Sequence, residues 1–205
     1  MNTYGVSNEL DYQVNLCLQE MIREANTSLI CGRRNAGSPT QPRTTGGLFT
    51  IAGIEGSYKQ DFKGNEIAAK PLNDAVEQVF TRGGSANTIL CGPSIARQIT
   101  KLGGYTIRTT CQDTAAGYQI LSFVSDLPGG AISSVAVDLN MPKDRALLLD
   151  TEKVKARYLT PIYDQDTTPN GADYFSRVIR GEFGFEVKNA KESIAVLENI
   201  SKTMA

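Results

Sequence analysis

Histidine does not occur in this 205-residue chain, and neither does tryptophan. Without imidazole, the usual general base near neutral pH and the commonest nitrogen ligand for metals are both missing. A Ser-His-Asp triad, a Cys-His dyad and an HExxH zinc site are therefore excluded. Cysteine is scarce, and its four copies, Cys17, Cys31, Cys91 and Cys111, show no CxxC spacing. They stand in apolar or strand-like contexts and read as buried free thiols, because unpaired cysteine is among the most buried residue types. No stretch approaches the ~18 consecutive apolar residues of a membrane span. The opening MNTYGVSNELDYQ has no basic start followed by an apolar run, so no export signal is expected and the chain reads as one that folds in a cytoplasm. An excess of one charge is lacking too. Lys and Arg number 21 against 22 Asp and Glu, which argues against a polycationic nucleic-acid binder or an acidic tail.

What is present is a patterned, globular sequence. Hydrophobic residues make up 40% of the chain, enough to bury a core in one large domain or two small lobes. From Asn8 to Cys31, apolar residues recur at Leu10, Val14, Cys17, Leu18, Met21, Ile22, Ala25 and Leu29, the stripe of a 3.6-residue period. The spacing predicts a long amphipathic helix, capped by Ser7 or Asn8 and ended by Gly32 in the left-handed conformation. Arg33 to Gly47, RRNAGSPTQPRTTGG, follows with three Gly, two Pro and three Arg. It reads as a long mobile loop without regular structure, either a solvated connector or a segment whose Arg33, Arg34 and Arg43 meet carboxylates of a neighbouring subunit or DNA phosphates.

A second helix is predicted from about Pro71 to Arg82, with Leu72, Ala75, Val76, Val79 and Phe80 on one face and Gly83-Gly84 stopping it. Thr88–Cys91 then reads as a buried strand, Gly92-Pro93-Ser94 as a turn, and the residues through Leu102 as a helix. Beyond Gly103-Gly104 the pattern becomes strand-like at Tyr105–Thr110, Tyr118–Val124, Ser134–Leu139, Ala146–Leu149 and Ala156–Leu159. Two last strands, Tyr174–Val187 and Ser193–Ile200, are expected to pair as an antiparallel hairpin across Lys188-Asn189-Ala190. Helices early and strands late imply an α+β arrangement rather than a βαβ repeat.

Chemistry-bearing motifs are few. The Leu90-Cys91-Gly92-Pro93-Ser94 turn invites comparison with a nucleophile elbow or a phosphate cradle, yet it has neither Gly-x-Ser-x-Gly nor the Walker spacing. A nucleotide-binding enzyme using Gly92–Ser94 remains an alternative reading, and a tail or baseplate component is another. Asp138, Asp144, Asp150 and Glu152 cluster between predicted strands and raise the idea of a divalent cation, though acidic residues are common at such places. No catalytic residue, cofactor or metal ligand is assigned. Leu127-Pro128-Gly129-Gly130-Ala131 reads as a surface turn or as a tip touching sister subunits.

Several elements occur in a suggestive order. They are the long helix ending in Cys31-Gly32, Gly46-Gly47-Leu48, the helix before Gly83-Gly84, Asp138-Leu139-Asn140-Met141-Pro142, Ala146-Leu147-Leu148-Leu149-Asp150, and Gly181-Glu182-Phe183-Gly184-Phe185-Glu186-Val187-Lys188-Asn189. From about Glu9 to Ile200 this order resembles the tailed-bacteriophage major capsid proteins of the Hong Kong 97-type fold. The resemblance implies a non-enzymatic head subunit that self-assembles in pentamer and hexamer rings into an icosahedral shell around phage DNA. It implies a spine helix and loop of a peripheral domain in about 1–70, a mostly axial domain in 71–150, and a return to the peripheral sheet, including Ser193–Ile200, in 151–205. Scaffolding, portal and decoration proteins and non-specific DNA on the inner face are the implied partners, with no membrane. The implied location is the virion, after the host bacterial cytoplasm. Arg33, Arg34, Arg43, Leu127 and Pro128 become the candidate contact or DNA-facing residues. Family members carry an arm and an extended loop before the spine helix; only seven residues precede Asn8, which implies a shortened form with weakened assembly.

Overall fold

Four consecutive apolar residues cannot all be buried on a sheet with one wet face, so Ala-Leu-Leu-Leu at 146–149 calls for a strand covered on both sides. In the computed structural model, which describes residues 9–102, 123–127, 131–132 and 134–202, all four are buried. The elements in chain order are α1 (Glu9–Cys31), α2 (Leu48–Ile54), β1 (Tyr58–Asp61), α3 (Ala69–Thr81), β2 (Thr88–Cys91), α4 (Pro93–Lys101), β3 (Phe123–Val124), β4 (Ala131–Ile132), β5 (Ser134–Val137), β6 (Ala146–Leu149), β7 (Val154–Asp166), β8 (Arg177–Val187), α5 (Ala190–Ser193) and β9 (Ile194–Glu198).

Strand β6 lies at the centre of a mixed five-stranded sheet ordered β1-β9-β6-β2-β5. It runs antiparallel to β9 and β2, while β1 with β9 and β2 with β5 are parallel pairs. The period of two sorts its side chains into two cores. Ala146 and Leu148, with Ala195 and Leu197 of β9, face α3 and α4 through Leu72, Val76, Val79, Ile95 and Ile99. Leu147 and Leu149, with Ile194 and Val196, face Leu48 and Ala52 of α2 and Ile30 at the end of α1. The result is a three-layer body, of the α+β class expected.

Local chemistry explains the ends of α3 and the entry to α4. Pro71 occupies the first turn of α3, where its missing N–H is not needed. Gly83, at φ 87°, closes α3 with two reversed bonds, Gly83 N–H to Phe80 O at 2.9 Å and Gly84 N–H to Val79 O at 3.0 Å, the Schellman arrangement. Next to it, Gly84 packs so tightly that a Cβ there would lie 1.9 Å from the Glu192 carbonyl oxygen. Pro93 starts α4 after Gly92.

A second body is built from α1 and a long antiparallel arm, β7 with β8. The two strands pair from Val154/Val187 to Asp166/Arg177, with register shifts around Thr160. Pro161 sits at this irregularity, as a residue without an N–H to donate must. Leu10, Val14, Leu18, Met21, Ala25 and Leu29 form the half-buried face of α1, and Arg177 on β8 bonds both Asp11 on α1 and Asp164 on β7, at 3.1 and 3.0 Å. In mid-helix, Asn26 Nδ2 donates to Asp138 Oδ2 at 2.7 Å and ties α1 to the loop after β5.

Four expectations are corrected. Strands β8 and β9 do not form a hairpin: β8 pairs with β7, whereas β9 enters the five-stranded sheet, because Ile194–Leu197 are all buried and need cover on both faces. In that sheet β9 lies between β1 and β6. Arg33–Gly47 holds no helix or strand, as expected, but it is not an open loop. It folds into a small antiparallel tongue, bridged at Asn35/Thr44 and Ser38/Gln41, with Pro39 pre-set for its tight turn. Gly32 does not adopt a positive φ; its N–H continues to Ser28 O at 2.8 Å, and its carbonyl accepts Gly47 N–H at 2.8 Å and the Thr50 hydroxyl at 2.7 Å, closing the tongue. Cys17 and Cys31 are exposed rather than buried, since α1 packs on the arm by one face only, while Cys91 is buried as expected. Cys111 and the strand at Tyr105–Thr110 lie outside the described residues.

Candidate subunit interface

The tongue carries three arginines and, between residues 33 and 47, no acidic residue. Arg34 and Arg43, on its two legs, line one cavity of about 450 Å³ whose apolar wall is Ile51 of α2 and Phe185 of β8. Their spacing in the chain brings them together because the hairpin registers Asn35 against Thr44. Arg33 is exposed at the tongue's root. The tongue leans on the arm at Gly184, where a Cβ would come within 3.4 Å of Thr45 Oγ1.

The arm is the larger exposed surface. Leu159 is 82% exposed, Phe175 79%, Tyr158 61% and Tyr174 59%, far more apolar surface than a two-stranded ribbon needs to hold itself together. Between α1 and the arm lies a second cavity of about 440 Å³, lined by Ile22, Leu29, Ile162 and Phe183 among others. Tyr12 and Leu16 are exposed on another face of α1. Some carboxylates have local partners. Glu186 is held below the usual carboxylate range, first by its hydrogen bond from Arg157. Asp166 is lowered by the Thr168 hydroxyl and backbone N–H, and Asp61, at the sheet edge, by the Lys63 N–H and the Asn199 amide.

The remaining candidates fall elsewhere. Leu127 is half-buried, with its N–H on Ser125 Oγ at 3.3 Å, and lines a pocket with Asp74, Glu77 and Asp126; Pro128 lies outside the described residues. Sequence spacing does not bring Leu127 near the arginine tongue's cavity. The carboxylates 138, 144, 150 and 152 do not converge: Asp138 is bonded to Asn26, Asp144 pairs with Lys202 at 3.7 Å, and Asp150 accepts Glu152 N–H at 3.1 Å. Among the described residues no group of three or more potential ligands is assembled. Nor is the Gly92–Ser94 turn an open phosphate cradle. Gly92 is buried, and the carbonyl oxygens of Met141 and Pro142 lie 3.7 Å from where its Cβ would be, presenting negative dipoles to the start of α4. Burial pushes the neighbouring Cys91 thiol up to about 12, the opposite of an activated nucleophile.

The surfaces that stand out are thus faces for other proteins, not a cleft for a small molecule. A family model for the SU10 major capsid protein matches residues 1–201. The chain belongs to the SU10 major capsid protein family. It is a major capsid subunit, a building block of a phage head, and its α+β architecture is the Hong Kong 97-type capsid fold. The encapsulin complex of Synechococcus elongatus shares that fold at a TM-score of 0.67 and 14% identity, over 98% of this chain and 69% of the encapsulin. The capsid of Cyanophage A-1(L) matches at 0.67 and 12%, over 94% of this chain and 69% of its own. Mycobacterium phage Adephagia matches at 0.56 and 14%, over 98% and 68%. No curated protein matches the sequence. Family membership and fold imply a structural role for the chain and its association in multimeric shells.

Proposed function

We propose that this capsid subunit builds an icosahedral head through two mechanically distinct bodies and has no enzymatic activity of its own. The three-layer body around β6 supplies the axial part that meets its copies around rings. This division follows sheet membership, so Tyr58–Asp61 and Ile194–Glu198 belong to the axial body. The peripheral part is α1 with the β7–β8 arm, which reaches along the shell. The observation that carries the reading is the arm itself, a thin ribbon with Leu159 and Phe175 about four-fifths exposed, a surface that becomes dry only against another subunit. Leu127, on the axial body beside Asp74 and Glu77, and its sequence neighbour Pro128 are the candidate contacts with sister subunits there. DNA is packed non-specifically, the chain's balanced charge giving it no overall attraction to phosphate. Scaffolding, portal and decoration proteins act on the assembled or assembling shell, in a bacterial host's cytoplasm before the virion forms.

Sedimentation velocity with negative-stain imaging of the purified chain tests this. Rings, curved sheets or closed shells are the expected products. A strict monomer at high concentration, or a tube of stacked trimers, would refute the head assignment.

A further inference from the structure

Opposite charges occupy opposite ends of one subunit. The tongue, with Arg33, Arg34 and Arg43 and no acid, lies at the base of the arm beside Phe185. The far end of the arm, residues 163–176, holds Asp164, Asp166 and Asp173; Arg177 at its edge pairs with Asp164, and among the described residues Asp166 and Asp173 form no ion pair. Phe185 is registered with Ala156, and the ladder runs on to Asp166/Arg177. At ~3.3 Å per residue the two ends are on the order of 30 Å apart, so within one chain they cannot meet. Among the described residues none of the three tongue arginines forms an ion pair.

The match extends beyond charge. The arm's tip presents Asp173 followed directly by Tyr174 and Phe175, 59% and 79% exposed. The cavity beside the tongue is lined by two arginines together with apolar Ile51 and Phe185. An acid next to two aromatics is the complement of such a site, because guanidinium groups bond carboxylates and stack on rings while the wall takes the ring edges.

We propose that the tip of one subunit's arm, through Asp173, Tyr174 and Phe175, docks in the Arg34–Arg43 cavity of a second copy of this chain. The proposal rests on the shell-building reading and names one of its contacts. Because the two patches differ, the contact is head-to-tail; it propagates from copy to copy and closes into a ring where the rotation allows. It also excludes the alternative use of the arginines, DNA phosphate, since the cavity is filled by protein.

Charge reversal at each end provides the test. The tongue variant carries Arg34→Glu and Arg43→Glu; the tip variant carries Gln165→Lys, at an exposed position, and Asp173→Lys; a third chain carries all four. Association is followed by sedimentation velocity, and folding by the thermal transition of each variant. Each single-end variant is expected to stay folded and to associate roughly tenfold more weakly or worse than the parent. The four-substitution chain, and an equimolar mixture of the two single-end variants, are expected to regain association. Added salt should weaken the parent contact as the screening length falls from ~10 Å at 0.1 M to ~3 Å at 1 M.

Single-end variants that associate like the parent would overturn the contact while leaving the shell reading intact. So would a failure of the four-substitution chain to recover. A tongue variant that assembles normally but no longer retains DNA would reassign the arginines to nucleic acid. A parent chain that never associates would bring down the shell reading, and this contact with it.

Discussion

Gln98 shows how much one buried side chain can hold. It is 2% exposed, its Oε1 accepts the Ile67 N–H at 3.1 Å, and its Nε2 donates to the Ser201 carbonyl at 2.8 Å. One amide thus fastens the segment before α3 and the segment after β9 to α4. Gln98→Met keeps the volume but removes one bond to a backbone donor and one to a backbone acceptor, each worth ~1–3 kcal/mol when buried. Urea denaturation should show a loss of about 2–4 kcal/mol; a loss near zero would mean that water replaces both bonds. The thiols make a second residue-scale prediction. In the free subunit at mildly alkaline pH, a thiol reagent should modify Cys17 and Cys31 but reach Cys91 only after unfolding, because burial holds that thiol in its protonated form. Cys31 should react more slowly than Cys17, since burial of its sulfur raises its pKa despite the opposing charge of Arg145. Cys17→Ser and Cys31→Ser identify which site gives which rate.

Among the elements, those governed by local periodicity were legible from residue order. The stripe of α1, the Pro71 start and Gly83 stop of α3, and the strand, turn and helix from Thr88 to Lys101 all followed from period and capping. Pairing partners did not, because which strand borders which is decided by burial of whole faces at long range. Strand β9 illustrates this: Ile-Ala-Val-Leu at 194–197 is wholly apolar, a sign of a central strand, yet its nearness in sequence to β8 suggested a hairpin. Arm strand β7 was read as only Ala156–Leu159, since Pro161 interrupts its pattern, and the structure absorbs that proline in a register shift. The short helix α2 had a signal in Leu48, Ile51 and Ala52 that the flanking glycines obscured. The arginine cavity was half legible: the arginines were visible, but the fold-back that brings Arg34 and Arg43 to one cavity depends on a turn inside a Gly- and Pro-rich stretch. For the arm, pH gives the test. Glu186 and Asp166 have lowered folded pKa values, so their contribution is present above the ordinary carboxylate range and is lost as pH falls through the lowered values. Arm pairing should therefore hold down to about pH 4 and weaken below it. Chemical-shift titration of Arg157 and Glu186 reads this, with Glu186→Gln removing its share; loosening already near neutral pH would contradict it.

Taken whole, the molecule joins a well-buried sandwich to a thin exposed extension, and substitutions in the two should separate stability from assembly. Leu159→Ser and Phe175→Ser remove exposed apolar surface and should alter unfolding by no more than ~0.5 kcal/mol while reducing shell yield. Leu148→Ala, fully buried in β6, should instead cost ~2–5 kcal/mol and remove assembly only by unfolding the subunit. Paired thermal melts and sedimentation profiles distinguish the two; an arm variant that melts early would mean that the ribbon supports the sandwich. The long helix bears on the same separation. Of its 23 residues only Ile30 is fully buried within the subunit. A helix so little covered by its own subunit leaves most of its surface for neighbours to cover as the lattice grows, and a contact that must also order what it covers gains less from each bond. Bonds weakened in this way would let a misplaced subunit leave before its neighbours trap it.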